Sequence, residues 1–190
     1  ELINKLNKDK VHPAIKCELS SKIKFEKFEN FKNIIKGTDI IVVGVSSLGI
    51  NWFSENILKF YEDSQPIVLL TKGLAIQDSK IITISEKIKR FLNKNGHKNI
   101  NISAIKGPCL ATGLANKMRT GTVIANLDIK NAKNLQNIIS TKYYSTEVTT
   151  DITGVEISGA IKNIYSMLIG ASEGLSNLSA PIEIQNKFYL

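Results

Sequence analysis

The chain has 190 residues, 43% of them hydrophobic, enough for one buried core and part of a second unit. Lys and Arg number 25 against 17 Asp and Glu, a net charge of +8 that on its own would suit a nucleic-acid partner. Lys outnumbers Arg 23 to 2 and aromatics are only 7%, so groups that read or stack on bases are scarce; with 29 Ile and 18 Asn the excess reads as AT-rich coding drift, and no nucleic-acid partner is expected.

The chain opens on "ELINKLNKDK", a helical pattern with no initiating Met and no signal peptide, and is expected to be a piece of a longer protein. Next, "IKFEKF" (23–28) predicts a short strand and "FENFKNII" (28–35) a short helix. "TDIIVVGVSS" (38–47) carries an unbroken apolar run, as a strand buried on both faces should. "NWFSENILKFYE" (51–62) predicts a helix and "PIVLLTKG" (66–73) a second buried strand. "SKIITISEKIKRFLNKNG" (79–96) reads as an amphipathic helix, with Ser79 as N-cap and Gly96 as its stop. Strands are predicted at "NISAIKG" (101–107) and "GTVIAN" (121–126). A helix over 128–140, capped by Asp128, and a strand at "YYSTEVT" (143–149) follow.

This alternation predicts an α/β fold through residue 150, a mostly parallel sheet covered on both faces. Beyond it the strand signal ends, and one helix is predicted over about 154–171. Thr153 and Glu156 stand at the T-x-x-E spacing of a capping box, which marks the boundary between units 1–150 and 151–190. No apolar run reaches the ~18 residues of a membrane span, so no membrane association is expected. Cys17 and Cys109 form no C-x-x-C, which argues for a reduced setting without disulfides or a metal site. His12 and His97 are isolated and read as surface or loop residues.

Ligands of an open parallel sheet bind at the carboxyl ends of its strands, and three loops qualify. "GVSSLG" (44–49) has the glycine spacing of a phosphate loop, but Ile50 and Asn51 replace the required Lys and Ser/Thr. It fits a plain strand-to-helix turn beside a dinucleotide. In "LLTKG" (69–73), Lys72 stands directly off a strand end and Gly73 permits a sharp turn. "KGPCLATGLA" (106–115) brings small residues to another strand end, where a flat ligand could approach.

On the last helix, Ile157, Ala160, Ile161, Ile164, Leu168 and Ala171 form the predicted apolar stripe, and Lys162 points elsewhere. An ordinary solvated face would carry charges, as residues 79–96 do. Lys162 is instead flanked by Ser158, Gly159 and Ser166, with Gly170 further along. Each mid-helix Gly costs roughly 1 kcal/mol relative to Ala. A helix that keeps two of them around one lysine is making room for something.

Together, "TDIIVVGVSS", "LLTKGL", "AIKGPCLA", "TGTVIAN" and "GVEISGAIKN" followed by "GASEGL" resemble, in order and spacing, the NAD(P)-dependent glycerol-3-phosphate dehydrogenase family. E-x-x-G-A-x-K-N is the most specific block. The resemblance implies an incomplete Rossmann-type domain followed by the start of an all-helical second domain. The family's amino-terminal G-x-G-x-x-G strand and later helical residues, including a phosphate-binding arginine, are absent from this stretch. It also implies a cytoplasmic homodimer that moves hydride between sn-glycerol 3-phosphate and dihydroxyacetone phosphate. The implied cofactor is NAD or NADP, left open because the residue reading the ribose 2′ position lies upstream of Glu1.

By match, Lys162 resembles the general acid/base and Asn163 its substrate-holding neighbour. Lys72 resembles the second active-site lysine, near both nicotinamide and substrate. Cys109 falls at a substrate-side position, Ala111 resembles a cofactor contact, and Ser46, Ser47 and Leu48 border the dinucleotide. A free lysine, with pKa ~10.4, is a poor base at neutral pH. Partial burial and a second cation would bring Lys162 toward a useful ~7–8.

Two other readings stay open. One is a related two-domain β-hydroxy acid dehydrogenase, whose lysine usually sits in K-x-x-x-N, whereas here Lys162 and Asn163 are adjacent. The other is a truncated α/β binding module without activity. This stretch alone is expected to be inactive.

Overall fold

The computed structural model describes residues 2–63 and 65–179. Helix α1 (Leu2–Asp9) leads into a two-residue antiparallel pair, β1 (Val11–His12) and β2 (Cys17–Glu18), and α2 (Phe31–Ile35) follows. The strand predicted at 23–28 does not form. No strand lies beside it, and Asn7 of α1 serves as its ladder partner, accepting from the Phe25 N–H at 3.0 Å and donating to the Phe25 carbonyl at 2.6 Å.

Strand and helix then alternate: β3 (Ile41–Val43), α3 (Ile50–Asn56), β4 (Ile67–Leu69), β5 (Leu74–Gln77), β6 (Lys80–Thr83) and α4 (Ile84–Lys94). They continue as β7 (Ile102–Lys106), α5 (Ala111–Ala115), β8 (Thr120–Asn126), α6 (Ile129–Ile139), β9 (Tyr144–Thr149) and α7 (Ile152–Ser179). The central sheet runs in the order β3-β4-β7-β8-β9. It is parallel except where β8 returns antiparallel beside β7, after a connection that holds only the short α5.

Side chains alternate between the two faces of the sheet. Ile67, Leu69, Ile102 and Ala104 join one core cluster with Phe53 of α3, Ile88 of α4 and Ile152 of α7. Val68, Ile105 and Ile124 join the other, with Ala132 and Leu135 of α6. Both faces of β4 and β7 are therefore covered, as continuous apolar strands require; β3, expected to be buried on both faces, stands at the end of this sheet and is covered on one, with Val42 58% exposed.

Two predicted helix starts are corrected. Residues 79–83 of the 79–96 pattern join β5 in the β5–β6 hairpin, closed by Asp78 and Ser79 at φ 51° and 57°. Two successive positive φ values suit the right-handed strand twist of a two-residue turn. Ser79 is thus a turn residue. The N-cap of α4 is Thr83, whose hydroxyl accepts from the Glu86 N–H at 3.3 Å. Helix α7 starts at Ile152, where Asp151 accepts from the Gly154 N–H at 2.8 Å. Thr153 and Glu156 make no capping box, because the Glu156 side chain turns into the core. Asp128 caps α6 as predicted, accepting from the Lys130 N–H at 2.9 Å. The last predicted residues of the second unit, 180–190, lie outside the described residues.

Gly107 follows β7 and passes close beneath β8. A Cβ there would sit 2.7 Å from the Gly121 carbonyl oxygen and 2.8 Å from Thr122 Cα. Those neighbours are backbone and cannot swing away. Gly107→Ala is expected to destabilise the fold by about 1–3 kcal/mol, read as a lower urea midpoint at unchanged slope.

Candidate functional site

The carboxyl ends of β3, β4 and β7 lie along one edge of the sheet, because these strands are parallel neighbours. Two loops at that edge are fastened together. Buried Thr71 donates to the Val45 carbonyl at 2.7 Å, which draws the 44–49 turn to the segment carrying Lys72. Gly73 has φ 123°, and a Cβ on it would stand 3.0 Å from Ser47 Cβ. Ser46, Ser47 and Lys72 are thus presented side by side and exposed. Leu48, 92% exposed, leads into α3.

Helix α7 crosses the α3/α4 face toward the same edge. Glu156 locks it in place. The carboxylate is fully buried and accepts from the Ser85 N–H at 3.2 and 3.3 Å and from the Ser85 hydroxyl. Ser85 lies in the first turn of α4, where backbone N–H groups have no helical partner and the helix dipole favours an anion. The glutamate of the E-x-x-G-A-x-K-N block therefore joins two helices.

The glycine of that block has a partner too. A Cβ on Gly159 would fall 3.0 Å from both Cγ and Cδ of Lys106, so α7 rests directly on that lysine's stem. What the small residue makes room for is a side chain of the protein itself.

Lys106 is the residue sequence reasoning missed. It is 5% exposed, on the same face as Ile102 and Ala104, and its Nζ donates to the Leu69 carbonyl at 3.1 Å. Burial pushes its pKa from 10.5 down to about 8; the Glu156 charge opposes that shift and the Lys72 charge adds to it. A signal existed: in "NISAIKG" the inward positions read Ile102, Ala104, Lys106, a lysine in register with a buried stripe.

Lys72, Lys106 and Lys162 line one cleft of about 470 Å³, floored by Gly107 and Val123 and walled by Ser158 and Gly159 of α7. The structure thus brings together the two predicted lysines. It does not bury them: Lys162 and Lys72 are exposed, and the half-dry cation expected at Lys162 is found at Lys106. Asn163 is exposed just past the cleft, and Cys109 and Ala111 follow Pro108 at the start of α5; none of the three lines it. The predicted apolar stripe of α7 is also displaced. Ile152 meets the core, Glu156 the start of α4 and Gly159 the Lys106 stem, while Ile164 and Leu168 are 56% and 61% exposed. A second cavity of about 440 Å³, lined by Leu74, Ile82, Arg90 and Ile157, holds none of the predicted site residues.

A family profile described as NAD-dependent glycerol-3-phosphate dehydrogenase N-terminus matches residues 1–132. The NADP(+)-dependent glycerol-3-phosphate dehydrogenase of Archaeoglobus fulgidus is 30% identical over 174 residues, 92% of this chain and 50% of that protein. The glycerol-3-phosphate dehydrogenase (NAD(P)+) of Mesoplasma florum is 33% identical over 133 residues, 70% of this chain and 39% of that protein. The chain spans about half the length, or less, of these curated relatives. A solved glycerol-3-phosphate dehydrogenase from Coxiella burnetii shares the fold at TM-score 0.77 and 20% identity, over 98% of this chain and 54% of that one. So does a UDP-D-ManNAc dehydrogenase from Pyrococcus horikoshii, at TM-score 0.67 and 14% identity, over 93% of this chain and 45% of that one.

Two outcomes follow for stability. Glu156→Ala leaves the buried Ser85 N–H unpaired and is expected to cost about 1–3 kcal/mol, measured by urea denaturation. For Lys106, the folded value near 8 lies below the usual 10.5, so between these pH values the unfolded chain binds the extra proton. Its contribution is complete above 10.5 and is lost as pH falls through 8; the rise of the urea midpoint across that window should flatten in Lys106→Met.

Proposed function

We propose, from a chain that belongs to the NAD-dependent glycerol-3-phosphate dehydrogenase family, that the complete protein transfers hydride between NAD(P) and sn-glycerol 3-phosphate, giving dihydroxyacetone phosphate. The observation that carries this reading is the convergence of Lys72 and Lys162, from a strand end and from α7, on one cleft at the carboxyl edge of the sheet.

The loops at that edge suit a dinucleotide. Ser46 and Ser47 offer hydroxyls at the turn after β3, and Gly73 keeps the neighbouring backbone close to them. Ser46, Ser47, Leu48 and Ala111 are assigned to the coenzyme side, with Lys72 between coenzyme and substrate. Asn163 and Cys109 are assigned to the substrate side. NAD(P), when bound, supplies the hydride acceptor.

Lys162 is the general acid/base. In its neutral form it takes the proton from the C2 hydroxyl as hydride leaves C2; in the reverse direction it returns that proton to the ketone oxygen. Lys72, lining the same cleft, attracts the substrate's phosphate-bearing anion. Ser158, a small residue on the cleft wall, leaves the carbinol carbon room to approach. Helix α7 is read as the first element of the substrate-side helical unit. Its exposed Ile164, Met167 and Leu168 support that reading as a surface for further helices.

The test uses the complete protein with dihydroxyacetone phosphate, and separately with 3-hydroxy acids, while NAD(P)H absorbance is followed. Turnover of dihydroxyacetone phosphate alone is expected. Lys162→Met should lower kcat by about 10²–10⁴-fold while leaving the thermal midpoint nearly unchanged, since the residue is exposed. A preference for 3-hydroxy acids, or a fully active Lys162→Met, would overturn the assignment.

A further inference from the structure

We propose that Lys106 is a positioning residue for proton transfer: one buried side chain ties the strand end that leads to Lys72 to the helix that carries Lys162. The inference rests on the roles given to Lys72 and Lys162 above.

Two contacts carry it. The Lys106 Nζ donates to the carbonyl of Leu69, the last residue of β4 and three positions before Lys72. Its aliphatic stem lies against Gly159, three positions before Lys162 on α7. Each candidate lysine is therefore less than one helical turn, or one short loop, from a contact made by the same side chain. Without a Cβ at residue 159 the helix settles onto the stem, so the stem's thickness sets the height of α7 above the sheet. The ammonium end sets where the β4 strand end, and with it the Lys72 loop, stands relative to β7.

Stability alone does not account for a lysine there. A methionine would fill the same space beneath Gly159 without taking a charge out of water, and replacing buried charge by apolar volume is often neutral or stabilising. The groups facing Lys106 are Lys72 from the β4–β5 loop and Lys162 from α7 across the cleft, Asp151 just before α7, and Glu156 of α7 beneath; β8 contributes Val123 and no titratable side chain. Lys106 adds a third positive charge to a site proposed to bind an anion and to hold a neutral lysine. It is a cation on a rigid strand end, whereas Lys72 and Lys162 are exposed.

The experiment compares Lys106→Met, Lys106→Gln and Lys162→Met with the parent in the complete protein. It measures kcat, KM for dihydroxyacetone phosphate, coenzyme affinity, the pH profile of kcat and the thermal midpoint at pH 7. Lys106→Met should lower kcat by about 10- to 100-fold, the scale of a misplaced catalytic group. Its pH profile should shift, and the thermal midpoint should be equal or higher. Lys106→Gln, which keeps a neutral donor for the Leu69 carbonyl, should recover part of the loss.

A wild-type kcat and pH profile in Lys106→Met would overturn the proposal. So would kcat and thermal midpoint falling together, the signature of a residue that only holds the fold. Should Lys162→Met be inactive while Lys106→Met behaves like the parent, this inference fails and the proposed function stands. Should Lys162→Met be fully active, the proposed function fails first.

Discussion

A carboxylate shut away from water needs several donors or a compensating charge, and Glu156 finds them at the start of α4. The Ser85 backbone N–H and hydroxyl both point at it, and the dipole of α4 adds a partial positive charge behind them. The placement of α7 depends on this contact. With Glu156 seated, Ile152 enters the core beside β4 and β7, and Gly159 comes down on Lys106. Lys162 is then carried to the edge of the sheet where β3 and β4 end. The spacing E-x-x-G-x-x-K becomes one face of a helix: an anchor, a point of close approach and a reactive group, each one turn on from the last.

The cleft is notable for its charges. Three lysines line it, with Asp151 at its margin and Glu156 beneath. Of the three, only Lys106 is buried, and there burial outweighs the neighbouring carboxylate. Exposed Lys72 and Lys162 keep their hydration until something covers them. A dry cation below and two wet ones above is an arrangement able to receive a multiply charged anion and then respond to being closed over.

Much of this was legible in the sequence. Unbroken apolar runs at 40–43 and 67–70 pointed to buried parallel strands, and Asp128 marked the start of α6. Lys72 and Lys162 could be singled out from the company they keep. Less visible were features settled by neighbours rather than by pattern. The "IKFEKF" alternation had no strand to pair with. "SKIITISE" (79–86) suits a helix by its apolar spacing, but a hairpin across Asp78 and Ser79 claims its first half, and Thr83 takes the capping role. T-x-x-E is a local motif and suggests a cap at Glu156, whereas the partner of that side chain lies 71 residues away. A lysine before Gly-Pro looks like a loop residue, and only counting alternate positions from Ile102 puts Lys106 inside.

The distance along α7 between anchor and reactive group has its own consequence. Six residues separate Glu156 from Lys162, about 9 Å of axis at 1.5 Å per residue. Treated as a stiff rod pivoting at Glu156, the helix would swing Lys162 by ~1.5 Å for a tilt of ~10°, on the scale at which misplaced catalytic groups lose much of their rate. Any change that loosens the pivot, even one buried near α4 and remote from the cleft, is therefore amplified at the far end of the lever.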